Sequence, residues 1–345
     1  MDIRKLILAK IKQKGKITSS EIVKETNFSR AYVNRFFQEL EEQGQIIKMG
    51  ETKGARYVLA DKKTWESEKN KILEFNRVYE NKNMSEDFVL SQIKQETGIF
   101  SSMKENVRKI VEYSFLEMLN NAIDHSKSSK INIRIFALLN ANFIHFQIID
   151  FGVGVFENIK VRKKLSSIEE SIQNLMKGKL TTSPTAHTGQ GIFFTSKLAD
   201  SFFIAGNKKQ LQFRNVLEDV FLKDTKINSG TVVDFSIFRD SNKKIEDVFR
   251  EYTDQKSGDL EFSKTKYPVK LIQYGTEFLS RSEARRLMIG MDKFQEIILD
   301  YKDVETVGQS FADEINRVWQ NNHPNIKISS INMSDNVKFM IERSL

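Results

Sequence analysis

Glu117, Asn121 and Asp124 stand at positions i, i+4 and i+7 of the stretch FLEMLNNAIDHS. At 3.6 residues per turn they share one stripe of a helix, with His125 at its edge. Phe115, Leu119, Ala122 and Ile123 point the other way, so such a helix has an apolar face to pack. Taken alone, the stripe reads as the wet side of a surface helix. Three further signals give it weight. IIDFGVGV puts Asp150, Gly152 and Gly154 where a strand opens into a loop, a place for backbone to come close to something. TAHTGQGIFFTSKLAD places Gly189 and Gly191 ahead of a helix from Ile192 to Ala199, whose first amides are a natural seat for phosphate. SGTVVDFSIF then reads as a strand opening with Gly230-Thr231.

These residues need elements to carry them. The spacing predicts helices from Ser85 onward, with Phe88, Val89, Leu90 and Ile93, and again over Val107 to His125. Ile131 to Ile135 and Ile144 to Ile148 alternate apolar and polar, which predicts paired strands of a sheet with one wet face. Ahead of them, residues 61–83 are charged and are expected to form a helical connector.

Residues 1–60 form a unit of their own. Ile3, Leu6, Ile7 and Ile11 predict a first helix, Ser19 or Ser20 caps a second, and Ser29 opens a third. In the third, Val33, Phe36, Phe37 and Leu40 lie inward. Ile46-Ile47 and Tyr57-Val58-Leu59 then flank GETKGAR, a hairpin with glycines at its tip. From about residue 250 to 345, SRSEARRLMIGM is a basic helix, FQEIILDY a β-rich run, and ETVGQSFADEINRVW turns through Gly308 into a helix with Phe311, Ile315 and Val318 inward. Ile326 to Ile328 is a strand and Val337 to Met340 a last helix, so this end is a small α/β layer.

Composition bounds the class. A chain of 345 residues suggests two or three domains, and 39% hydrophobic residues with 26 Phe supply their cores. No apolar run reaches membrane-spanning length, and MDIRKLILAKIKQKGK lacks the features of a secretion signal. With no Cys there are no disulfides or thiolate metal sites, which fits a cytoplasmic protein. Four scattered His argue against structural zinc, and a net charge of +8 allows a polyanionic partner.

The order of the central signals is an acid-xxx-amide helix, a hairpin, DxGxG, a variable loop, GxG opening a helix, and GT starting a strand. It resembles the ATP-binding superfamily shared by DNA gyrase, heat-shock chaperones, sensor histidine kinases and mismatch-repair ATPases, the Bergerat or GHKL fold, over residues 84–240. The resemblance implies ATP and Mg2+ as cofactors. It makes Asn121 the metal-holding amide, Glu117 the catalytic acid that positions or deprotonates a nucleophile, and Asp150 the carboxylate that selects adenine. Gly152, Gly154 and Thr231 would complete the adenine pocket, Gly189 and Gly191 would cradle phosphates, and residues 156–188 would be a lid. Asp124, His125, His187 and Lys197 lie near these motifs without an assigned role.

The first unit resembles the winged helix-turn-helix family. That implies double-stranded DNA as a partner, with Arg30, Asn34, Arg35 and Tyr32 outward on the third helix and Lys48, Lys53 and Arg56 on the hairpin. Such modules also dock proteins. The stretch LDYKDVETVGQSFAD resembles STAS-like domains, the fold of anti-sigma factor antagonists, and implies a protein partner. Gln309 stands where the antagonists carry a phosphorylated serine, with Ser310 next to it. An oligomerisation domain, hence a homodimer, is the plainer reading of this end.

The fold expected is therefore α/β and multidomain: winged helix-turn-helix, Bergerat-type ATP-binding sandwich, small STAS-like domain. The function expected is an ATP-binding regulator whose nucleotide-dependent lid closure biases both ends, with slow hydrolysis. The alternative is a protein serine/threonine kinase of anti-sigma factor type acting on a STAS-like or other partner. A DNA-binding repressor that merely binds nucleotide remains open as well. A sensor histidine kinase is disfavoured, since residues 61–115 contain no His to accept phosphate.

Overall fold

The computed structural model describes residues 2–49, 55–60, 73–138, 142–178, 190–254, 261–269, 277–278 and 280–345. At the N-terminal end Ile3, Ile7 and Ile11 of α1 (Ile3–Lys14) meet Ile22 of α2 (Ser19–Thr26) and Val33, Phe37 and Leu40 of α3 (Arg30–Glu42) in a core of their own. The second helix begins one residue earlier than its serines suggest. Thr18 is the cap, in a reciprocal capping box with Glu21. Asn27 then ends α2 at a left-handed φ of 56°, and Ser29 caps α3 as expected. β1 (Ile17–Thr18), β2 (Ile46–Met49) and β3 (Arg56–Leu59) make an antiparallel sheet in the order β1-β3-β2. The hairpin tip, Lys53 included, lies outside the described residues.

The charged stretch expected to be a helical connector is, from 74 to 80, an edge strand. β4 (Glu74–Glu80) alternates buried Phe75 with exposed neighbours and pairs along β5. A period of two won over the high charge, because its polar residues face water on one side. The sheet that it starts has seven antiparallel strands in the order β4-β5-β6-β10-β7-β8-β9. Its members are β5 (Lys130–Leu138), β6 (Phe143–Asp150), β7 (Ser201–Gly206), β8 (Lys209–Arg214), β9 (Asp219–Asp224) and β10 (Thr231–Phe238). Helices α4 (Glu86–Glu96) and α5 (Glu105–His125) pack on one face. α5 buries Val107, Ile110, Val111, Phe115, Met118, Leu119 and Ala122, a helical stripe laid on Phe146 and its neighbours. Phe146 stacks on Phe235 at 4.7 Å and meets Phe115 edge-on at 5.6 Å. The other face carries Arg134, His145, Gln147, Asp234 and Ser236, the polar side that alternation predicted.

Two helices occupy the first part of the expected lid, α6 (Val155–Lys163) and α7 (Ile168–Lys177). They are anchored: Phe156, Ile172, Leu175 and Met176 are buried in the common core. The rest of that segment, 179–189, lies outside the described residues. α8 (Gly191–Leu198) follows, starting one residue before the expected Ile192 and ending one residue short of Ala199.

After α9 (Ile245–Tyr252), three parallel strands alternate with helices: β11 (Lys264–Pro268), α10 (Arg281–Met288), β12 (Glu296–Asp300), α11 (Gln309–Asp313), β13 (Lys327–Ile331) and α12 (Asp335–Glu342). α11 runs on through a π-helical stretch, Glu314–Trp319. The basic helix α10 turns two cations onto its neighbour, with Arg285 Nε 2.7 Å and Arg281 Nε 3.3 Å from the buried Glu314 carboxylate. This layer is joined to the large sheet. Lys177 Nζ donates to the Ile289 carbonyl at 2.7 Å, Lys302 Nζ donates to the carbonyls of Leu217 and Glu218 at 3.0 and 3.2 Å, and one buried cluster runs from Leu73 to Ile341.

Two cores should respond separately to damage. Phe146→Ala should cost roughly 3–5 kcal/mol in the joined unit, as large aromatic truncations do. Phe37→Ala should loosen the N-terminal unit alone, residues 2–49 and 55–60, in hydrogen exchange. Faster exchange spreading from Phe37→Ala into the seven-stranded sheet would show the two cores to be one.

Candidate functional site

Asp150 is the last residue of β6, in register with Ile131 on one side and Thr231 on the other. It is buried, and its Oδ1 accepts from the backbone amides of Gly152 at 2.9 Å and Thr231 at 3.2 Å. The Thr231 hydroxyl bonds to it too. Burial pushes the Asp150 carboxyl above the usual aspartate range, and these hydrogen bonds pull part of the way back.

The chain beyond Asp150 folds tightly onto the end of α5. Val153 N donates to the Ser126 carbonyl at 2.9 Å and Phe151 N to Ser128 Oγ at 3.0 Å. A Cβ on Gly152 would stand 1.8 Å from that same Ser126 oxygen. Gly230, at φ +73°, donates to the Gly152 carbonyl at 2.7 Å, and a Cβ there would lie 2.2 Å from the Asp150 carbonyl. Gly154, at φ +84°, lies against Asn207, whose side chain bonds Val153 O at 3.0 Å and Glu157 N at 3.1 Å. The glycines of DxGxG are thus demanded by the chain's own packing. Phe151, 63% exposed, and Val153 leave apolar side chains at the surface beside Asp150.

Glu117 lies nine residues back along α5 from Ser126, which at 1.5 Å per residue is about 14 Å. There it meets the start of α8: a Cβ on Gly191 would be 2.0 Å from Glu117 Oε2. A carboxylate at that spot lies where the helix dipole favours negative charge. Asn121 folds back so that its Nδ2 donates to the Glu117 carbonyl at 2.8 Å. One helix therefore carries Glu117 and Asn121 toward α8 and ends against the Asp150 loop. Asp124 is exposed, and His125 faces α6, with Nδ1 3.1 Å from Arg162 Nη2 and its carbonyl bonded to Asn158 at 2.7 Å. Lys197 stands at the far end of α8 from Gly191. Gly189 and His187 lie outside the described residues.

Ser126, Ser128 and Asn207 were not singled out in the sequence. Asn207 had a legible signal, since GNKK between two alternating runs marks a type I′ hairpin, and Asn207 and Lys208 take φ of 50° and 65°.

In the N-terminal unit Arg30 is exposed at the first position of α3 and Asn34 is part-buried one turn on. Arg56 is exposed on β3, and Lys48 faces Tyr57 across the hairpin. Phe28 and Tyr32 form an exposed edge-to-face pair at 5.3 Å beside Arg30. Arg35 is committed sideways, its Nε 3.0 Å from Glu39, which also pairs with Arg4. Those guanidinium hydrogen bonds hold the Glu39 carboxyl below its usual range.

Among the described residues no helix is long and apolar enough to cross a membrane. A search of curated proteins finds no match to the chain. Residues 2–47 match the winged helix-turn-helix DNA-binding family model, and residues 283–338 match that of the STAS-like domain of unknown function (DUF4325). Neither match reaches the seven-stranded sheet between them. The chain joins a winged helix-turn-helix of DNA-binding type to a STAS-like domain, the make-up of a regulatory DNA-binding or signalling protein.

Proposed function

We propose that the seven-stranded unit binds an adenine nucleotide with Mg2+, and that the protein is an ATP-responsive regulator acting through its winged helix and STAS-like domain. The arrangement of Asp150 carries this reading. An ionised carboxylate offers about four lone-pair sites, so the donors from Gly152 and Thr231 leave room for an adenine amino group. Phe151 and Val153 supply apolar surface beside it, and Gly152, Gly154 and Thr231 shape the pocket.

At the other end, the resemblance to the GHKL superfamily assigns the phosphates to Gly189, Gly191 and the first amides of α8. The Asn121 side chain spends its Nδ2 on the Glu117 carbonyl, which leaves a neutral amide oxygen of the kind Mg2+ takes. That ion would offset charge on the phosphate oxygens. Glu117, which lies against Gly191, would orient or deprotonate an attacking water or hydroxyl. Slow hydrolysis would reset the regulator.

A second reading is a protein serine/threonine kinase of anti-sigma factor type acting on a STAS-like or other partner, and the STAS-like match on this same chain favours it. Ser310 is exposed at the start of α11, next to Gln309. Labelled ATP separates the two: stable label on protein supports the kinase, free phosphate alone the ATPase. DNA would lie against α3, with Arg30 and Asn34 on base edges and Lys48, Lys53 and Arg56 near phosphates.

Asp150→Asn should weaken ATP binding roughly 10- to 100-fold, as for loss of a hydrogen bond to a charged group. Calorimetry showing unchanged affinity removes the adenine assignment. The same variant should still fold. Because burial raises the Asp150 pKa, its contribution to stability is full below the ordinary aspartate range and is lost as pH rises through the raised value. Asp150→Asn removes that loss, so it should melt no lower than wild type at neutral pH. Asp150→Ala leaves two amides without an acceptor and should cost about 1–3 kcal/mol.

On duplexes selected from a random pool, Arg30→Ala and Asn34→Ala should each cost about 1–3 kcal/mol of discrimination. Lys48→Ala should weaken all sequences alike and reduce the salt slope by about one. Wild-type selectivity in both helix variants would move base reading elsewhere.

A further inference from the structure

Two aromatic rings stand in water at the start of α3. Phe28, in the turn between α2 and α3, is 41% exposed, and Tyr32 is 44% exposed. Phe is among the residues most often buried, and the same unit does bury Phe37 against Tyr57, with ring centres 4.2 Å apart. The exposed rings are not loose. Phe28 meets Tyr32 edge-to-face at 5.3 Å, and Tyr32 meets Phe36 in the same way at 5.1 Å. Phe36 is half-buried against the N-terminal core, with the Arg4 guanidinium 5.2 Å and the Arg35 guanidinium 5.9 Å from its ring centre. Glu39 accepts from both arginines. The three rings are thus held from the inside outward, and the outer two are set in place before anything binds.

Their place on the helix says what they can meet. The N-terminal residues of a recognition helix are the ones that reach base edges in the major groove. At about 100° per residue, Tyr32 and Asn34 stand on either side of the outward stripe of Ala31 and Arg35. Ser29, Arg30 and Ala31 are exposed there, and the small Ala31 lets a base edge come close. A phenyl ring offers a phosphate neither charge nor donor. The apolar group that the major groove displays is the C5 methyl of thymine. Both rings lie inside the segment that matches the DNA-binding family model, on the turn that carries Arg30, and this favours DNA over a protein partner.

We propose that Phe28 and Tyr32 select thymine, packing against the C5 methyl of one thymine next to the base pairs met by Arg30 and Asn34. This role rests on α3 binding duplex DNA and adds a base preference to it. Arg4, Arg35 and Glu39 would serve it indirectly, by fixing Phe36 and through it the two rings outside.

The test uses duplexes that the full chain, with ATP and Mg2+ present, selects from a random pool. Each thymine in the protected footprint is replaced in turn by uracil, which lacks only the methyl group. At one position the replacement should weaken binding about three- to tenfold, the size of one buried methyl contact. This arm alters only the DNA, so it does not depend on any variant folding. In Phe28→Ala or Tyr32→Ala, thymine and uracil at that position should bind within about twofold of each other. A footprint with no thymine, or one in which no uracil replacement matters, would overturn the proposal. So would a methyl effect that persists in full in both variants. Wild-type affinity of both variants for the selected duplex would assign the rings to a protein partner and overturn it too. A pool from which no duplex is enriched would instead remove the DNA reading itself, and this one with it.

Discussion

A carboxylate withdrawn from water at the end of a strand needs donors brought to it, and this fold brings them as backbone. Asp150 receives the amides of Gly152 and Thr231, one from the turn that follows it and one from the neighbouring strand. Both donors reach it only because the chain has no Cβ at Gly152 or Gly230, where an added carbon would stand 1.8 Å from Ser126 O and 2.2 Å from Asp150 O. The end of α5, the end of β6 and the start of β10 are therefore fixed against one another by contact. The antiparallel order with β10 beside β6 makes that possible, and the stacked pair Phe146 and Phe235 holds the two strands in register.

From that fixed point α5 leads back to Glu117, and Glu117 leads to α8. This helix is short, eight residues, and tied at both ends. Its first residue lies on the Glu117 carboxylate, Phe193 and Phe194 meet Tyr252 and Phe249 of α9 at 5.1 and 4.3 Å, and Lys197 lines a cleft over the STAS-like strands. A rigid helix cannot shift one end alone. A ligand that displaced Glu117 from the first turn of α8 would bear on the rings that this helix shares with α9. Any coupling between a nucleotide and the STAS-like layer would run along this helix.

The sequence was most legible where a period or a cap decides the structure. The three N-terminal helices, the hairpin, the alternating strands and the β12-α11-β13 layer all follow from spacing, as do Ser29 and the inward Phe311 and Ile315. It was least legible where charge and period disagree. Glu74 to Glu80 looks like a charged connector, yet an edge strand needs only one apolar face, and Phe75 with its flanking Leu73 provides it. α6 and α7 sit in the segment that the resemblance makes a lid, and their apolar Phe156, Ile172 and Leu175 are buried in the common core, an anchoring that the sequence reading did not draw out. At the candidate site, Asp150, Gly152 and Thr231 do meet, and so do Glu117 and Gly191. Ser126 and Ser128 escaped notice because their part is played by a carbonyl and a short turn, which no residue type announces.

Charge counting also overstates what the winged helix can offer DNA. Arg35 looks outward on a helical wheel, but Glu39 lies one turn on and binds both it and Arg4, so two of the local cations are already matched by one acid. What remains on α3 is its first turn: Arg30, the part-buried Asn34, and the Phe28–Tyr32 pair beside them. Phosphate attraction would then fall more to the hairpin, where Lys48 and Arg56 are exposed. A recognition helix with few free charges gains little from the backbone and must depend on base edges, so the specificity of this unit should exceed what the chain's net charge of +8 would imply.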